Sequence, residues 1–199
     1  ADSVNFKGIT NIASLNFERT EIRNEQQDNT LSITETGSTT STDLFDNFNT
    51  HLDFRRIEYL TIDDGANNNE IFEISVDGNS GTDGQGKDLS WDNEIVVASS
   101  TGSTIKADGG IDVLVGGAGN DTIDLSGVLD GSEVYLKNID TANDTFVKVN
   151  GGTGGTRTDT VNDDGKLTVD LGNSETMTIY HEETDDDIIA QLLIDTATA

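Results

Sequence analysis

Short runs in which apolar and polar residues alternate recur along the chain, bounded by Gly, Asn and Asp. That period of two is the signature of half-buried β-strands. Ser14-Leu15-Asn16-Phe17-Glu18-Arg19 alternates, and Leu31-Ser32-Ile33-Thr34 answers it across the polar stretch 24–29, which predicts a long-looped hairpin. The same pattern predicts strands at 56–62, 70–76, 94–98, 133–137, 145–150, 166–171 and 176–180. Asp164-Gly165, set between Thr160-Val161 and Leu167-Thr168-Val169, reads as a two-residue hairpin turn. Helical signals are few. Residues 42–48 could form one or two turns capped by Thr42. Residues 188–194 follow Thr184 and the anions Asp185, Asp186 and Asp187, which favour a helix start through the dipole. The expected fold is all-β, an irregular sandwich with one or two short helices in a single domain over residues 1–199.

Composition sharpens this picture. Leu, Ile, Val and Phe make up 50 of the 199 residues. This is just above the roughly 20% below which a highly charged chain stays disordered. The core is therefore thin, and 38 acidic against 11 basic residues give a net charge of −27. Such a field repels phosphate backbones and anionic membrane surfaces, which excludes nucleic-acid binding. No apolar run approaches the ~20 residues of a membrane span, so insertion is not expected either. The absence of cysteine removes disulfide scaffolds, thiol catalysis and cysteine-ligated zinc. Ala1 stands where an initiator Met would, and no signal peptide follows, so the expectation is a piece of a longer chain. Multivalent cations that bind only the folded form would supply the stability that the core lacks.

The motif that carries chemistry lies in the centre. Residues 107–115 (Ala-Asp-Gly-Gly-Ile-Asp-Val-Leu-Val) and 116–124 (Gly-Gly-Ala-Gly-Asn-Asp-Thr-Ile-Asp) are tandem nine-residue units. The second fits G-G-x-G-x-D-x-U-x completely. The first keeps Gly110, Asp112 and Leu114 in register but opens with Ala107-Asp108. Glycines allow a tight turn whose carbonyls point inward at a hard cation, the Asp adds a carboxylate, and the aliphatic residue beyond it enters a short strand. A second candidate loop, Asp77-Gly78-Asn79-Ser80-Gly81-Thr82-Asp83-Gly84, places oxygen side chains at alternate positions, with Asp88 able to close it.

Other readings fail. Gly81-Thr82-Asp83-Gly84-Gln85-Gly86-Lys87 matches the start of a phosphate-binding loop, but Asp88 stands where Ser or Thr is required and no helix pattern follows. The two histidines, His51 and His181, form no zinc-protease or acid–base pattern, and no nucleophile elbow occurs, so an enzyme is not expected.

The two units resemble those of the repeats-in-toxin (RTX) family, calcium-binding proteins exported by bacterial type I secretion. Leu15-Asn16-Phe17-Glu18-Arg19, Asp43-Leu44-Phe45-Asp46-Asn47-Phe48 and Arg56-Ile57-Glu58-Tyr59-Leu60 resemble a segment that often accompanies such repeats. The resemblance covers roughly residues 12–127. It implies several Ca2+ ions and an extracellular parent on the surface of a Gram-negative bacterium. The ligands it implies are Asp108, Gly110, Asp112, Gly117, Gly119 and Asp121, with Asp77, Asn79, Asp83 and Asp88 as the further candidates from the acidic loop. In such proteins each ion sits between turns two units apart. Residues 98–106 and 125–133 have lost the pattern, so a regular roll is not expected from two units.

In size and repeat content the chain also resembles the peptide-binding domain of large RTX adhesins. The function expected is a calcium-dependent ligand-binding module of a surface adhesin, monomeric in isolation, that captures a peptide or protein C-terminus. Asp108, Gly109, Gly110 and Asp112 would form the floor of that site and Trp91 a wall. The alternative is a structural or secretion-associated segment with no ligand of its own.

Overall fold

The computed structural model describes residues 3–22, 28–44, 59–63, 69–76, 93–98, 102–128, 131–140, 142–147, 158–162, 166–172 and 175–181. These form β1 (Ser3–Lys7), β2 (Leu15–Ile22), β3 (Asp28–Glu35), β4 (Ser41–Leu44), β5 (Tyr59–Asp63), β6 (Asn69–Val76), β7 (Asn93–Val97) and β8 (Thr104–Lys106). They continue with β9 (Ile111–Val115), β10 (Thr122–Asp124), β11 (Glu133–Lys137), β12 (Thr145–Val147), β13 (Thr158–Asn162), β14 (Lys166–Gly172) and β15 (Glu175–His181). The chain is all-β, as its alternation dictates. The strands build a nine-stranded sheet ordered β1-β5-β6-β7-β9-β11-β15-β14-β13 and two three-stranded sheets, β12-β10-β8 and β2-β3-β4.

From β7 to β12 the chain winds alternately between the large sheet and β12-β10-β8, one short strand at a time. Parallel neighbours usually need a helical crossover. Here the strand on the opposite sheet makes the crossover, as in a solenoid. Glu94 pairs with Asp112 and Ile105 with Ile123, so each residue sits one coil, or two nine-residue units, from its partner. The next coil is longer, pairing Val113 with Tyr135 and Ile123 with Phe146. The roll thus extends beyond the two units, contrary to expectation. Residues 98–106 supply β8 and residues 125–133 lead into β11. A coil needs only inward aliphatics and a backbone ladder, which Ile105 and Val134 provide without the glycine pattern. Loss of the pattern does not end the winding: the coil through 98–106 keeps the two-unit spacing, and the one through 125–133 is longer.

Strands β7 and β9 are buried on both faces, which explains their unbroken apolar runs Ile95-Val96-Val97 and Val113-Leu114-Val115. One face packs Val96, Leu114, Val134 and Leu136 against Ile105, Ile123 and Leu125 inside the roll. The other packs Ile95, Val97, Val113 and Val115 against Leu15, Phe17, Leu31 and Ile33 of the hairpin sheet. That hairpin forms as predicted, with Phe17 opposite Ile33. The predicted hairpin near the C-terminus pairs Val161 with Leu167, while its turn lies outside the described residues. Thr42 falls in strand β4 instead of capping a helix, because Leu44 gains burial by pairing with Leu31. Residues 188–194 lie outside the described residues. The helix that is described is a 3-10 turn, Ile12–Ser14, whose N-cap Asn11 accepts the Ala13 N–H.

Candidate metal centre

Inside the roll, the residues of the large sheet that face β12-β10-β8 are aliphatic over most of their length. At the start of β7 and β9 they become acidic. Glu94 and Asp112 sit in register there, and the next residue in the row is Val134. The turn that leads into β9 delivers a third carboxylate, Asp108. It is shaped by two side-chain bonds: the Asp108 N–H donates to Asp112 Oδ2 at 3.0 Å, and the Gly109 N–H donates to Asp108 Oδ1 at 2.9 Å. Gly110 has φ of +93°, the left-handed conformation for which glycine is suited. Coil-to-coil bonds hold the turn in place. The Gly110 carbonyl accepts the Glu133 N–H at 2.9 Å, the Asp108 carbonyl accepts Ser132 Oγ at 3.1 Å, and Asn93 Oδ1 accepts the Ile111 N–H at 2.9 Å.

One oxygen from each of Glu94, Asp108 and Asp112 lies within 4.8 Å of the others. The three residues are 1, 5 and 0% exposed, so water does little to offset their mutual repulsion. Asp112 Oδ1 makes no hydrogen bond. Burial is the main cause that pushes the Asp112 carboxyl up to about 8, aided by the Asp108 carboxylate and opposed by the N–H groups of Asp108 and Glu94. Three clustered carboxylates without nitrogen or sulfur donors suit a hard cation. An ion there would meet the unbonded Asp112 oxygen and neutralise charge that burial otherwise disfavours. The residues present therefore fit a divalent cation.

The structure brings together Asp108 and Asp112 from the sequence-derived set and adds Glu94. The sequence places Glu94 at the start of a predicted strand, but its position beside Asp112 one coil later is a long-range relation that no local pattern shows. Gly110 contributes the bend, but its carbonyl is engaged by β11. Of the expected ligand floor, Asp108, Gly109 and Asp112 are buried, Gly110 is half-buried, and the Gly109 N–H donates to Asp108. In the second unit, Asp121 Oδ2 accepts the Gly117 N–H and Oδ1 accepts the Ser103 N–H, both at 2.8 Å. Gly119 lies in the same bend, half-buried. Asp77, Asn79, Asp83, Asp88 and Trp91 lie outside the described residues. Among the described residues no helix is long and apolar enough to cross a membrane. No family model, curated protein or solved structure matches the chain.

Proposed function

We propose that the chain is a calcium-stapled β-roll module of an extracellular bacterial surface protein, in which the ion holds the roll together. The observation that carries this reading is the buried cluster of Glu94, Asp108 and Asp112 with its unbonded Asp112 oxygen. An all-carboxylate site suits Ca2+, which accepts six to eight oxygens in flexible geometry, better than Mg2+, which demands near-ideal octahedral geometry. The ion would join β7 to β9 through carboxylates from both, and so tie one half of the large sheet to the other. The burial of all three carboxylates favours the structural role over capture of a peptide carboxylate at this ion. Calcium is abundant outside cells, where modules of modest affinity stay loaded.

Thermal melts of the chain in calcium, magnesium and chelator test this. At a hundredfold excess over Kd, calcium adds about 2.7 kcal/mol. For a chain of this length that raises the Tm by roughly 5–10 °C over chelator. Magnesium should add far less. Identical melts in all three conditions would overturn the proposal.

A further inference from the structure

The two walls of the roll are built differently. The wall that carries the acidic cluster holds the turn before β9. The opposite wall holds the turns through which the chain leaves the large sheet for the small one, and two aspartates span it. Asp121 Oδ2 accepts the Gly117 N–H from its own turn, and Oδ1 accepts the Ser103 N–H from the coil before. Asp144 repeats the arrangement, with Oδ2 accepting the Asp140 N–H and Oδ1 the Asp121 N–H, both at 2.8 Å. Each aspartate thus accepts one amide four residues earlier and one amide a full coil earlier, with both oxygens engaged. Asp112 shares the bond from four residues earlier, but its Oδ1 makes no hydrogen bond. Both are buried, at 1 and 4% exposure.

The turns on this wall also touch. A Cβ placed on Gly102 would lie 2.5 Å from the Asn120 carbonyl oxygen, and one on Gly116 would collide with the Asn138 carbonyl. The turns are therefore stacked backbone to backbone, and both oxygens of Asp121 and of Asp144 are already engaged by amides. The amides supply what an ion would otherwise supply, since N–H groups aimed at a carboxylate present the positive ends of their dipoles.

We infer that Asp121 and Asp144 are amide-binding clasps that hold successive coils on this wall without an ion, so the repeat aspartates of the two units have separate roles. Asp112 serves the cation and Asp121 serves the ladder. The inference rests on the calcium reading for Asp112, while the clasps stand on their own bonds.

Calorimetric titration of the full chain with calcium, for wild type, Asp112→Asn and Asp121→Asn, separates the roles. Asp112→Asn should abolish binding. Asp121→Asn should keep the wild-type affinity within about threefold and lower the Tm by the same amount in calcium and in chelator. An affinity loss in Asp121→Asn equal to that of Asp112→Asn would overturn the inference. A second measurement uses wild type alone: NMR scalar coupling across the bond between the Ser103 amide nitrogen and the Asp121 carboxyl carbon. Its presence supports the clasp and its absence overturns it, even if Asp121→Asn does not fold. Should wild type bind no calcium, the proposed function falls, and that coupling still decides the clasp.

Discussion

Glu94 and Asp112 stand side by side on neighbouring parallel strands, one coil apart in sequence, with both carboxyl groups inside the roll. Only Asp112 belongs to a nine-residue unit. The proposed cation site is therefore a joint property of a repeat and of the strand before it, and substitutions outside the repeat should reach it. Glu94→Gln is expected to weaken calcium binding by roughly ten- to hundredfold, as loss of even an outer-shell partner does. Glu133→Gln, one strand further on and bonded to Tyr135, should leave affinity unchanged. Isothermal titration of both variants checks this; equal affinities would remove Glu94 from the site.

In the absence of the ion, Asp112 makes stability depend on pH. Its carboxyl is raised to about 8 in the folded chain, mainly by burial, from an unfolded value of 3.8. The folded state therefore holds the proton more tightly. The associated stability is fully present below the unfolded pKa and is lost as pH rises through the folded one. In chelator the wild type should weaken between about pH 4 and 8 by up to ~1.4 kcal/mol per unit from this group. Asp112→Asn, which mimics the protonated form, lacks that slope. Its Tm in chelator should gain on wild type as pH rises from 5 to 8, and parallel curves would show that Asp112 is not perturbed.

Glycines of the same backbone conformation should differ in what they tolerate. Gly102 and Gly37 have φ of +95° and +85°, but only Gly102 faces a backbone atom within 4 Å of an added Cβ. Gly37→Ala should cost about 1–2 kcal/mol, the left-handed penalty alone. Gly102→Ala adds a clash with Asn120 that moves the stacked turns, so its loss of Tm should be at least twice as large. Equal melts for the two variants would mean that the turns at 102 and 120 can separate freely.

Much of this was legible in the sequence. The alternation around Leu15, Leu31, Phe72 and Leu167 located strands to within a few residues, because a half-buried strand must alternate. The two units marked Asp108 and Asp112. What escaped was pairing at a distance. Nothing local in 98–106 shows that Ile105 lies beside Ile123, since that contact depends on coil length. Glu94 escaped for the same reason. Asp121 matched its motif fully and still found amide partners, the backbone N–H groups of Gly117 and Ser103. Thr42 carried a good cap, yet the ladder to β3 prevailed over local helical preference.

The winding of the roll also sets an order of events in time. β7 and β9 pair residues one coil apart, and the loop that closes between them is short. β1, by contrast, pairs Ser3 with Tyr59, across more than fifty residues. Chains gain rate from local contacts and lose it to distant ones. We therefore expect nucleation where β7, β8, β9 and β10 meet, with propagation outward coil by coil and late arrival of β1 at the sheet edge. Mutational φ-values should then be high at Leu114 and near zero at Val4, and the reverse pattern would place the nucleus elsewhere.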